Sequence, residues 1–149
     1  MNQNETYPLY NKRNMNLVLA VVGSRNLKFC KNRVFLEIKE IRKIHNIIEI
    51  VSGDCKTGID AFAKEYAQDN KIKYTGFAAD WQDFAEPCLK KKNDYGFYNA
   101  LAGINRNTTI ADYCNGGIVF WDGKSPGTRD IGNKIYLQNK LMKKIIIPT

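Results

Sequence analysis

The sequence predicts an α/β protein, a three-layer sandwich around a mainly parallel five-stranded sheet. Three observations predict it. Short runs of β-forming residues that are apolar throughout, such as Leu17 to Val22, alternate with stretches whose apolar residues recur at helical spacing. Most of these runs stop at glycine, serine or another small polar residue. Parallel strands need crossover connections, and the intervening helical stretches are long enough to supply them.

Residues 1–15 lack periodicity and read as a flexible tail, with Tyr7 to Tyr10 placed to tie down on the surface. Residues 16–149 read as one domain. Asn16 to Val22 is the first strand. Val34, Ile38, Ile41 and Ile44 then predict a helix over about 31–45, and Ile47 to Val51 the second strand. Ile59, Phe62, Ala63, Tyr66 and Ala67 predict a helix from about Gly58 to Asn70, followed by a third strand from Ile72 to Phe77. Asp80 to Tyr98, with Pro87 inside it, has no clear period and reads as a long loop or insertion. Residues 99–114 read as a helix, Gly117 to Trp121 as the fourth strand, Thr128 to Lys140 as a helix and Lys143 to Ile147 as the last strand. The resulting arrangement is Rossmann-like.

At 149 residues the chain is long enough for one core and short for two domains. No apolar run approaches the roughly 20 residues of a membrane helix, and the polar first fifteen residues do not resemble a signal peptide. A cytoplasmic protein is expected, with no membrane partner. Cys30, Cys55, Cys88 and Cys114 are scattered and His45 is the one histidine, so no metal site, disulfide framework or cofactor is expected. His45 reads as a solvated or dipole-favoured residue at a helix end. The net charge of +8 favours anionic partners. Lysine supplies most of it, which also suits a solubilising surface, and Lys90, Lys91 and Lys92 form the tight cluster.

In such a sheet, ligands sit outside the carboxyl ends of the strands, where strand order reverses. The loops there are Gly23-Ser24-Arg25, then Ser52 to Asp60, then Asp80-Trp81, then Asp122 to Asp130. The second and fourth lead into helix N-termini, which attract phosphate through free amides and the helix dipole. Ser52, Gly53, Thr57 and Gly58 form one candidate cradle; Asp122, Gly123, Ser125, Gly127 and Thr128 form the other, with Lys56 and Lys124 adding charge. Read alone, each is equally a strand-to-helix turn with Thr57 or Thr128 as a cap. Asp60 is a ribose ligand or a dipole partner of its helix. Trp81 and Trp121 are stacking surfaces for a base or core residues. Cys55 is a candidate thiol of lowered pKa at a helix N-terminus, and Arg129 points to the other side of a helix start and reads as a surface or interface residue.

The ordered blocks V-V-G-S-R, V-S-G-x(4)-G-x-D-x-x-A, A-D-W, N-R-N-x-x-I-A-D and W-D-G-K-S-x-G-T-R-D-I resemble the SLOG superfamily, within it the YspA-like, cpYpsA-related branch. The resemblance spans about Leu17 to Ile147. It implies a Rossmann-like fold, a nucleotide-derived ligand such as a nucleotide, ADP-ribose or cyclic ADP-ribose, and a homo-oligomer. The chain then acts as a sensor or sequestering protein. Relatives that are phosphoribohydrolases imply an alternative: Arg106 matches their arginine, Gly127-Thr128 their glycine-threonine pair, and Asp130 stands at their glutamate, so Arg106 and Asp130 are the catalytic pair if the chain is an enzyme. Asn107 joins Arg106 as a ligand residue. The departures are Gly123-Lys124-Ser125-Pro126 in place of a compact double glycine, and the shorter acid, which displaces a carboxylate by one methylene. DprA-like nucleic-acid binding, through the lysine cluster, is a further alternative.

Overall fold

Alternation along a single strand organises the whole molecule. In β2 (Asn16–Gly23), Leu17, Leu19 and Val21 point to one face of the sheet and Ala20 and Val22 to the other. The first set packs against Val34, Ile38 and Ile41 of α1 (Lys31–Ile44) and Ile59 and Ala63 of α2 (Ile59–Asp69). The second packs against Ile110 and Ala111 of α3 (Ala102–Tyr113) and Ile131 and Ile135 of α4 (Pro126–Leu137). A strand covered on both faces must be apolar throughout, which is why β2 reads as an unbroken run. Burying each large aliphatic side chain contributes about 1.5–3 kcal/mol.

The computed structural model describes residues 4–149. The remaining strands are β1 (Glu5–Thr6), β3 (Asn46–Ser52), β4 (Lys73–Gly76), β5 (Lys90–Asn93), β6 (Gly96–Asn99), β7 (Gly116–Trp121) and β8 (Leu141–Ile146). The main sheet has the order β1-β8-β7-β2-β3-β4; β1 pairs antiparallel with β8, and the other pairings are parallel. The five expected strands are thus the parallel ones, and β1 is a sixth. Because β2 leads outward through β3 to β4 and the chain then returns to place β7 on the other side of β2, strand order reverses between β2 and β7. A ligand crevice forms at such a point.

Two segments and one residue differ from the sequence reading. Residues 5–11, placed there in a flexible tail, carry β1 and a 3-10 turn over Pro8–Asn11. The Tyr7 amide donates to the Met142 carbonyl at 2.9 Å, the Tyr7 ring meets Tyr136 edge-on, and Leu9 and Tyr10 pack on the α1 side of the core. His45, expected as a solvated or dipole-favoured residue at a helix end, follows the last residue of α1 but is 4% exposed; its Nδ1 accepts from the Met15 amide and its Nε2 lies 3.3 Å from the Tyr10 carbonyl, so it anchors this same segment. Within the expected loop after the third strand, β5 and β6 form an antiparallel hairpin. Its K-K-K-N strand is exposed throughout, so no hydrophobic alternation marks it. Among the described residues no helix is long and apolar enough to cross a membrane.

Candidate functional site

A cleft of about 420 Å³ lies over the carboxyl ends of β2, β3 and β7. Its centre is built by close backbone approach. A Cβ on Gly23 would fall 2.3 Å from the Phe120 carbonyl oxygen, so β2 can end against β7 only as glycine. Ser24, 2% exposed, then lies with its Oγ 3.1 Å from the Thr128 hydroxyl and accepts from the Asp122 amide, joining the first and fourth loops.

Asp122 shapes the fourth loop. Its carboxylate accepts from the amides of Lys124 and Ser125, the Ser125 hydroxyl and the Asn26 side chain. Burial opposes its charge, but these donors hold the carboxyl well below the usual carboxylate range. The turn delivers Ser125 to the N-cap and Pro126 to the first helical position, a favourable start for α4. No side chain caps the helix, and the amides of Gly127 and Thr128 have no partner among the described residues. Space is open where a Gly127 side chain would be. These first-turn amides carry the positive end of the α4 dipole.

The facing wall comes from Gly53, Cys55, Asp60, Arg106 and Asn107. Arg106 donates to the Gly53 carbonyl at 2.6 Å, the Phe77 carbonyl at 3.2 Å and Asn107 Oδ1 at 3.1 Å, tying the ends of β3 and β4 to α3. Asp60 is 5% exposed at the start of α2. Burial raises its carboxyl above the ordinary value, against the lowering influence of the Cys55 amide and thiol, Arg106 and the Gly53 amide. Burial and the Asp60 charge likewise push the Cys55 thiol up, so the expectation of a lowered thiol is not met.

The structure brings Gly23, Ser24, Arg25, Gly53, Asp60, Trp81, Arg106, Asn107, Ser125, Gly127 and Thr128 to the cleft lining. It leaves others outside. Ser52 is fully buried against the Tyr74 hydroxyl, and Asp122 serves the loop. Lys56, Thr57, Gly58, Asp80, Gly123 and Lys124 do not line the cleft. Thr57 donates to the Arg25 carbonyl; Gly58, at φ 76°, packs on the Arg25 backbone; and Asp80 accepts from the Gln82 amide. Thr128 is inside α4 rather than its cap, because the helix begins two residues earlier than expected.

Asp130 is likewise outside the cleft lining. Thr128 and Ile131, three residues apart, share the cleft face, whereas Asp130 lies about 200° around the helix from Thr128. Its carboxylate accepts from Asn107 Nδ2 at 3.1 Å and pairs with Lys134 at 2.8 Å, outside the lining. Trp121 and Arg129 line a different pocket of about 290 Å³ on the other side of α4; there the guanidinium sits 5.4 Å from the indole and Lys144 is already paired with Glu5. Ile104, Ile110 and Ile131, which the sequence reading missed, give the cleft an apolar wall. Helical spacing marks them as apolar-face residues but not which part of that face meets the sheet and which the cleft.

Fold and cleft together define a Rossmann-like α/β protein with an open crevice at its topological switch point. Residues 17–84, from β2 through the loop after β4, match the model of the YspA, cpYpsA-related SLOG family. The match includes the Gly23, Gly53 and Asp60 side of the cleft; the Arg106 and α4 side lies beyond the matched residues. No curated protein and no solved structure matches the chain.

Proposed function

We propose that the cleft binds a nucleotide-derived small molecule, its phosphate on the α4 amides of Gly127 and Thr128. The observation that carries this reading is the uncapped first turn of α4, opening onto the switch-point cleft beside the Ser24 and Thr128 hydroxyls. Arg25 supplies a cation on the same lining, Asp60 is the ribose partner, and the isoleucine wall shields the sugar. The match of residues 17–84 to the SLOG family model supports a nucleotide-type ligand. The chain acts on this reading as a sensor or a sequestering protein, and ADP-ribose and its cyclic form belong to the same ligand class. The test is mass spectrometry of small molecules released by denaturing the purified protein, followed by incubation of any nucleotide found with fresh protein. An intact nucleotide that persists supports binding.

One observation favours a second reading, cleavage of an N-glycosidic bond. Asp60 is a buried carboxyl of raised pKa on the cleft wall, the kind of group that holds a proton for a leaving base. In that case Asp60 replaces Asp130 as the acid, and the same incubation releases free base, an activity lost in Asp60→Asn.

A further inference from the structure

The insertion between β4 and α3 is absorbed by neither the phosphate loops nor the core, yet it is built with more internal order than a surface loop needs. Asn99, fully buried at the end of β6, holds it together. Its amide donates to the Trp81 carbonyl at 2.7 Å; its Oδ1 accepts from the Leu89 and Leu101 amides; its Nδ2 donates to the Asp83 and Pro87 carbonyls. This knot fixes both ends of the hairpin, the start of α3 and the backbone of Trp81. Beside it, Tyr98 meets the Trp81 ring edge-on at 6.4 Å, and the β5–β6 register places Lys91 opposite Tyr98. Trp81 itself lines the cleft while remaining 48% exposed, and its Cη2 approaches Gly103 of α3, where a Cβ would sit 3.8 Å away.

A large indole left half exposed at a ligand cleft, braced on its edge and fixed at its backbone, costs hydrophobic surface that a core role would have buried. We infer that the Trp81–Tyr98 hairpin is the base-recognition element of the cleft: Trp81 is a preorganised stacking platform for a nucleobase whose phosphate lies at α4. Every base has a π face, so the platform selects for the presence of a base and, through stacking area, for purines over pyrimidines. The bracing lowers the ordering cost on binding. Asn99 is a positioning residue that acts through the Trp81 backbone.

The inference rests on the nucleotide reading of the cleft, and the experiment separates the two. Dissociation constants are measured for adenosine monophosphate and for ribose 5-phosphate, which shares the phosphate and sugar but lacks the base, on the unaltered protein, Trp81→Ala and Trp81→Phe. The Asn99 to Trp81 bond is made by backbone, so both variants keep the knot. The unaltered protein is expected to prefer the nucleotide by about tenfold or more, the size of one base-aromatic stack. Trp81→Ala should abolish that preference while leaving ribose 5-phosphate affinity within about twofold, and Trp81→Phe should restore most of it. A preference that survives Trp81→Ala, or an equal loss for both ligands, overturns the platform while leaving the phosphate site standing. Failure of the unaltered protein to bind either ligand overturns both.

Discussion

Asp60 and Asp122 sit one on each side of the cleft and are driven in opposite directions by their surroundings. Asp60 is raised, so the folded protein holds a proton that the unfolded chain has already released; its contribution to stability falls as pH rises from below the unfolded value of about 3.9 through the folded one. Asp60→Asn is therefore expected to melt a few degrees higher than the unaltered protein at pH 7, with the gap closing towards pH 4 in a series of thermal melts. Asp122 is lowered, so its contribution is present above about pH 3.9 and lost below it. Asp122→Ala leaves the amides of Lys124 and Ser125 without their acceptor, and urea titration should read a loss of about 1–3 kcal/mol. Neither role was legible in the sequence, where both are acids in glycine-bearing loops. Asp130 shows why residue roles are the hardest to read: two positions on from Thr128 it lies about 200° around α4, so Ile131 and not the acid shares the cleft face.

Elements were legible in proportion to their burial. β2, β3 and β7 announce themselves because the core constrains both faces, and α1, α2 and α4 because one face is constrained at 3.6-residue spacing. The β5–β6 hairpin left no such mark. Its information resides in Asn99, whose five hydrogen bonds cross up to eighteen residues of chain, and in Gly96 at φ 118°. An isolated two-stranded hairpin is marginal in water, so the knot decides whether this one persists. Asn99→Ala is expected to bring amide exchange over residues 89–99 close to that of a free loop while β2 and β7 keep their protection. Unchanged exchange in the hairpin would show that the strand pairing alone suffices.

Across the whole molecule, the alternation of strands and helices implies the sandwich, but strand order fixes the site. That order is set by which strands pair after each crossover, a long-range choice that local patterns do not encode; right-handed connections reduce the options without selecting one. The observed order puts the first and fourth loops together at the switch point. The net charge of +8 acts at this scale too, since it favours the approach of anions. Raising ionic strength is expected to slow association in stopped-flow experiments and to change dissociation far less.

The central claim is that the open first turn of α4 holds a phosphate, and calorimetric titration of adenosine monophosphate into the unaltered protein and Gly127→Asp tests it most directly. Space is open at Gly127, and an acid in the first turn favours the helix by about 0.3–1 kcal/mol, so the variant should fold with an unchanged or higher melting temperature. The same carboxylate occupies and repels the phosphate position. The account predicts a measurable affinity in the unaltered protein that falls at least a hundredfold in the variant. Equal affinities in the two proteins would place the phosphate elsewhere and contradict it.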